Sequence, residues 1–302
     1  MPDELTPPAP APVASANGVR VLKVPSWQSH SWLWHGFSTR QEGQSHAYTV
    51  EGAPGELNLG FSAADDRQAV ISNRRLLAEA VTGSADTPLI TLRQCHSKVI
   101  AIASANRDAP ARGDGLMTAE AGLLLAIQTA DCIPVVVADR RLRVVAGFHA
   151  GWRGTVQRIV ESGIGKMRLE FNSRPKDLLA AIGPGIGACC YAVGEEVFSA
   201  FESQFIYASN LFPEVYDTDS VRIKFPMLFL TQRAPGHSPI GPNLHLDLIE
   251  ANRRQLLDAG LSPDAIQVVG GCTSCQRDLF FSHRASSGHT GRMMSVIGIR
   301  PK

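Results

Sequence analysis

The chain has 302 residues, 44% of them apolar, and a formal net charge of +1. That apolar share supplies a sizeable core, while balanced charge without a basic block or acidic tail argues against a nucleic-acid binder. No stretch approaches the roughly 18 apolar residues of a membrane span, and six cysteines in a chain this long suit a reducing cytoplasm rather than a disulfide scaffold.

Residues 1–20 are rich in Pro and Ala and lack the basic start and apolar stretch of a secretory signal. They read as a disordered tail, with one globular domain expected over 21–302. Trp32 to Thr39 is a predicted strand. Asp65 is the predicted N-cap of a helix running to Val81, with Val70, Leu77 and Val81 on one face and Gly83 as the stop. Leu89 to Leu92 and Val99 to Ala103 are predicted strands flanking His96. Apolar runs at Leu123–Gln128, Ile133–Ala138 and Val144–Phe148 give three more, the last two pairing antiparallel across Asp139-Arg140-Arg141. An amphipathic helix follows Arg153, with Val156, Ile159, Val160 and Met167 at helical spacing. Leu178 to Ile182 is a buried strand entering a glycine loop, and Gly194 to Phe201 a helix. Residues 204–242 are irregular and Pro-rich, as in an insertion or lid. A helix over Leu246–Ala259 stops at Gly260. Strands at Ile266–Val269, Phe280–Ser282 and Met294–Ile299 close the chain. Interleaved strands and helices with a hairpin among them predict an α/β mixed-sheet sandwich, not an all-parallel sheet.

Three segments concentrate the chemistry: Gln94-Cys95-His96-Ser97, Thr129-Ala130-Asp131-Cys132 and His149-Ala150-Gly151-Trp152-Arg153-Gly154. Each lies beside a predicted strand, so His96, Cys132 and His149 fall where loops present functional side chains on a rigid frame. Two imidazoles and one thiolate form a zinc ligand set that leaves a fourth position open. The same residues could instead make a Cys/His nucleophile pair. Any one of them alone would more often be structural, since unpaired cysteine is among the most buried residue types.

Other features carry weaker signals. Arg40 could grip phosphate bidentately or be a surface arginine. The loop Gly183-Pro184-Gly185-Ile186-Gly187 could hold an anion on its N–H groups or simply turn strand into helix. Cys189 and Cys190 read as packed apolar residues. Cys272-x-x-Cys275 has no second CxxC and reads as structural. His283 and Arg284 could line a pocket, and Arg292 could pair with a core carboxylate.

The segments TADCIPV, HAGWRG, IGPGIGACCYAVG and FSHR…TGRM resemble the laccase-domain family, also called multicopper polyphenol oxidase-like or peptidoglycan editing factor. The resemblance covers roughly residues 30 to 300. It implies a mixed α/β fold and a zinc site at His96, Cys132 and His149. It implies phosphorolysis of adenosine, inosine, guanosine and methylthioadenosine, and deamination of adenosine. Some bacterial members are linked to peptidoglycan precursor editing. Where the family usually has TRxGG, this chain has Thr39-Arg40-Gln41-Glu42-Gly43, a less flexible loop. The resemblance favours functional roles for Arg40 and Asn58. Multicopper chemistry does not fit: the chain has nine histidines and no His-x-His pair, leaving at most one blue-copper-like His₂Cys site.

The sequence therefore points to a cytoplasmic, zinc-dependent purine nucleoside phosphorylase with adenosine deaminase activity. His96, Cys132 and His149 are the metal and catalytic residues, and zinc is favoured over copper. Arg40, Asn58, Arg153 and His283 are the candidates for holding nucleoside and phosphate. No nucleic-acid or membrane partner is expected. One rival is a Cys132–His149 amide hydrolase acting in peptidoglycan precursor editing; another is a non-catalytic redox-sensing or partner-binding protein.

Overall fold

The computed structural model describes residues 11–105, 111–215 and 243–302. It comprises two compact units: residues up to Ile186 together with Leu248–Lys302, and Gly187–Asp247.

The strands of the larger unit begin with β1 (Val13–Ala14), β2 (Arg20–Leu22), β3 (Leu33–Ser38), β4 (Leu89–Ile90), β5 (Ile100–Ile102) and β6 (Gly115–Thr118). They continue with β7 (Leu124–Thr129), β8 (Ile133–Asp139), β9 (Val144–Ala150) and β10 (Leu178–Ile182). The smaller unit contributes β11 (Glu214–Val215) and β12 (Asn243–Leu244), and the larger resumes with β13 (Ile266–Val268) and β14 (Met293–Ile299). The helices among the described residues are α1 (Arg67–Thr82), α2 (Trp152–Val156), α3 (Ile159–Phe171), α4 (Glu195–Glu202) and α5 (Leu248–Asp258).

Two six-stranded sheets result, ordered β1-β2-β3-β14-β7-β4 and β13-β10-β8-β9-β6-β5. Each is mixed: β4–β7, β5–β6 and β10–β13 run parallel, and the other pairs antiparallel. Strand alternation explains the layering. Leu125, Met293, Ile297 and Ile299 face a core shared with Val136, Ala138 and Val145 of the second sheet. Leu124, Ala126, Met294 and Val296 point the other way, onto Leu77, Ala78 and Val81 of α1. Helices α2, α3 and α5 pack with the second sheet. The expected mixed-sheet sandwich is the observed fold. No helix among the described residues is long and apolar enough to cross a membrane.

Several local expectations change. Val13–Ala14 pairs with Arg20–Val21, so the segment expected to be a tail is ordered before Val21; residues 1–10 lie outside the described residues. Asp66, not Asp65, caps α1, accepting from the N–H groups of Gln68 and Ala69. Gly83 ends that helix at φ 86°, a conformation glycine reaches without Cβ strain. The single helix expected after Arg153 is two, because Arg158 adopts φ 59° between α2 and α3. Phe280 to Ser282 is not a strand: Phe280 and Phe281 are buried in the core without sheet pairing. β6, which the sequence reading missed, fills the sheet between β9 and β5.

In the smaller unit β11 and β12 pair antiparallel, and Phe201, Phe205, Leu211 and Phe212 are buried. A 3-10 turn at Ala208–Leu211 lies inside the segment expected to be irregular. Residues 216–242 of that segment fall outside the described residues.

Candidate metal centre

Register brings the centre together. In the β8–β9 hairpin Ile133 faces Ala150 and Pro134 faces His149, so Cys132 and Gly151 meet at its open end. In the β6–β9 pair Gly115 faces Phe148, and the His149 N–H donates to the Asp114 carbonyl at 2.7 Å. Asp114 therefore sits beside His149 at the start of β6. The third segment is clamped to β7: Gln94 Nε2 donates to the Gln128 carbonyl and the Gln128 N–H to Gln94 Oε1, both at 2.8 Å.

The ligand atoms of His96, Cys132 and His149 lie within 4.8 Å of one another. Cys132 Sγ is 3.9 Å from His96 Nε2, and the two imidazoles meet edge-on with centroids 4.9 Å apart. Ordinary zinc bond lengths put sulfur and nitrogen ligands about 3.6 Å apart across a tetrahedral ion, close to the Cys132–His96 separation of 3.9 Å, and all three side chains are of the type that holds zinc. The backbone is specialised here: His96 has φ 58° and Asp131 φ 89°, the kind of strain that collects at functional sites. Gly151 shows how tight the approach is. A Cβ there would lie 2.9 Å from His96 Cδ2 and 3.0 Å from Cys132 Sγ.

Asp114 organises the triad and was missed in the sequence. Its fully buried carboxylate accepts from the His96 N–H at 3.0 Å, the Ser97 N–H at 2.7 Å and the Ser97 hydroxyl at 2.8 Å. It also accepts from His149 Nδ1 at 2.8 Å, which fixes the tautomer and leaves Nε2 to serve as ligand. Burial by itself would raise the Asp114 pKa; the hydrogen bonds from His149 and Ser97 outweigh it and hold the carboxyl below its ordinary range. Burial would likewise raise the Cys132 thiol, but the charge and hydrogen bonding of His149, with His96, bring it down to about 6. For His149 burial opposes the charge, and Cys132 and Asp114 together raise it to about 9. A thiolate is thus the preferred form of Cys132, as metal ligation or nucleophilic attack requires.

Asp131 pins a second loop beside the triad. Its carboxylate accepts from the Thr273 hydroxyl and the Arg284 N–H, both at 2.6 Å. His283 lies exposed in that loop. Arg153 is exposed two residues beyond Gly151, its guanidinium 4.3 Å from the Trp152 ring centroid.

Other expected site residues are committed elsewhere. Arg40 ion-pairs with Glu56, donates to the Arg277 carbonyl at 2.9 Å and lies over the Phe281 ring, so its charge is already matched. Asn58 is fully buried; its amide serves Gly60, Asp65 and the Arg292 N–H, so it shapes the loop without a donor or acceptor to spare for substrate. Arg292 has no carboxylate partner among the described residues and donates to the Thr290 and Gly291 carbonyls. The glycine loop is a packing turn, not an anion cradle. The Gly183 and Ile186 N–H groups donate to the Pro134 and Asp131 carbonyls, and a Cβ at Gly185 would lie 2.3 Å from Ile133 Cδ1. Cys189 is exposed and Cys190 half-buried, as Cys275 and Cys272 are respectively; exposure does not suit the apolar packing expected of Cys189.

Comparison with known proteins adds a lineage. The family described as multi-copper polyphenol oxidoreductase laccase matches residues 34–300. The chain is 35% identical over 274 residues to purine nucleoside phosphorylase YlmD of Geobacillus stearothermophilus, covering 88% of this chain and 89% of that one. It is 30% identical over 250 residues to adenosine deaminase RL5 of an unknown prokaryotic organism, covering 80% and 85% respectively. The crystal structure of YlmD from Geobacillus stearothermophilus superposes with a TM-score of 0.74 at 32% identity, over 97% of this chain and all of that one.

Proposed function

Because the chain belongs to the multi-copper polyphenol oxidoreductase laccase family, we propose that it is a zinc-dependent purine nucleoside phosphorylase that also deaminates adenosine. The observation carrying this reading is the convergence of His96, Cys132 and His149 within 4.8 Å, with His149 oriented by Asp114. The names of the relatives supply the substrate class.

His96, Cys132 and His149 would hold the metal, with Gly151 leaving room beside them. When bound, zinc supplies Lewis-acid activation of water or of the substrate. In phosphorolysis the bond from C1′ to the purine nitrogen breaks, a bond from C1′ to a phosphate oxygen forms, and the departing base takes a proton. Arg153 is our choice for positioning phosphate, since among the described residues it has no carboxylate partner and stands two residues from Gly151. Arg40, the choice from sequence, would first have to leave Glu56. His283, on the loop pinned by Asp131, is assigned to the substrate side. The cytoplasm is the proposed compartment, where a Cys132 thiolate stays reduced.

A second reading has a specific observation behind it: the Cys132 thiol at about 6 beside His149 suits a thiolate nucleophile. His96 argues for metal, because a nucleophile pair does not need a third ligand 3.9 Å from the sulfur. The activity test is chromatographic detection of free purine base from adenosine, inosine or guanosine with phosphate. Base release that depends on phosphate is the expected result. No release from any of the three, in protein carrying zinc, would refute the proposal.

A further inference from the structure

A cleft of about 430 Å³ has none of the three triad residues in its lining. Tyr48, Phe61, Gln128, His289 and Arg292 are among the residues that line it. Three features point to a planar, hydrogen-bonding ligand. The Tyr48 and His289 rings meet with centroids 5.1 Å apart, and the Tyr48 hydroxyl is held by Ser62 at 2.8 Å; together they offer an aromatic wall. Gln128 makes no side-chain hydrogen bond to any described residue, although its backbone N–H and carbonyl are both clamped by Gln94. Arg292 brings a positive charge that no described carboxylate neutralises. Gly60 keeps the floor low: a Cβ there would lie 2.6 Å from Arg292 Cγ and 3.3 Å from Gln128 Oε1.

The cleft and the triad share two elements. Gln128 lies four residues before Cys132, and the side chain that clamps it belongs to Gln94, two residues before His96. The loop pinned to Asp131 at Arg284 reaches the cleft at His289. A glutamine amide that is fixed at its backbone and unpartnered at its tip matches the edge of a purine, where a donor and an acceptor lie side by side. Aromatic faces hold bases by stacking regardless of their exocyclic groups.

We infer that this cleft binds the purine ring of the substrate, stacked against Tyr48 and His289, with Gln128 as the residue that reads the base edge. The inference rests on the purine nucleoside reading above. Rotation of the amide lets Gln128 offer its oxygen to a 6-amino group or its nitrogen to a 6-oxo group, so one cleft accommodates both adenine and hypoxanthine.

The test is calorimetric binding of the free bases adenine and hypoxanthine, which have no glycosidic bond to cleave, to the zinc-loaded protein. Wild type should bind both. Gln128→Met should weaken both about tenfold or more, and His289→Ala about threefold or more, with zinc content and melting temperature unchanged. His289 is exposed, so the second variant keeps the test sound should the first be unstable. No binding to wild type, or wild-type binding by both variants, would overturn the assignment. Gln128-dependent base binding in a protein without phosphorolysis would uphold the cleft and refute the proposed reaction.

Discussion

The Asp114 carboxylate accepts His149 Nδ1–H at 2.8 Å while it also accepts the backbone N–H groups of His96 and Ser97. One buried group therefore orients two of the three triad residues. Asp114→Asn keeps the volume but replaces acceptor oxygen with a donor. Zinc affinity should fall about 10- to 100-fold, as for other partners that orient metal-bound histidines. A competition titration with a chelating dye measures this; an unchanged affinity would remove Asp114 from the centre.

Gly151→Ala separates metal binding from folding. The added Cβ would lie 2.9 Å from His96 Cδ2 and 3.0 Å from Cys132 Sγ, nearer than ordinary contact. The two ligands must shift apart at the open end of the hairpin. The variant should fold and lose most of its zinc. Full zinc occupancy in folded Gly151→Ala protein would contradict the packing argument.

Of the two arginines that the sequence offers for substrate and phosphate, Arg40 is paired with Glu56 and Arg153 is exposed without a described carboxylate partner. Arg153→Ala should raise the phosphate KM about tenfold or more, the scale of one lost charge-assisted contact, and leave adenosine deamination largely intact. Arg40→Ala should instead lower the melting temperature, because it strands the half-buried Glu56. Steady-state kinetics in both reactions and a thermal melt decide the matter. A phosphate KM that rises in Arg40→Ala alone would restore the original assignment.

His35 carries a pH dependence away from the centre. Burial, then the charge of Lys23, hold its pKa at about 3 against an ordinary 6.5. Nε2 accepts the Val24 N–H at 3.0 Å, which a protonated ring could not do. Between those two values the unfolded state binds the extra proton and the folded state does not, so stability falls as pH drops through that window. The contribution is at most about 1.4 kcal/mol per pH unit. Urea unfolding at pH 7 and 4.5 should show a shallower loss for His35→Gln than for wild type. Equal losses would show that His35 protonates without cost in the fold.

How far the sequence announced all this depends on how local each cause is. The grouping of His96, Cys132 and His149 was legible because each lies beside an apolar run and two of them stand beside glycine or small polar residues. The β8–β9 hairpin was legible from two apolar runs around Asp139-Arg140-Arg141. Asp114 was not: its role comes from β6 pairing beside β9, and β6 is only four residues long after a turn-like Arg-Gly-Asp. The break at Arg158, where φ is 59°, carries no Gly or Pro to mark it in the sequence. Arg40 looked available because its partner Glu56 is sixteen residues away in the long connection between β3 and α1. Gln128 drew no notice, since a lone glutamine at a strand end becomes informative only when its amide is seen without a partner.

The most direct test of the central claim is metal content joined to activity in one preparation. Purified wild type should carry about one zinc per chain. A chelator should abolish phosphate-dependent base release and added zinc should restore it. His96→Ala and Cys132→Ala should be zinc-depleted and nearly inactive. Iodoacetamide should label Cys132 only after the metal is removed. An active His96→Ala protein that ignores chelators, with Cys132 alkylated and inactivated as isolated, would contradict the zinc centre and establish the thiol nucleophile instead.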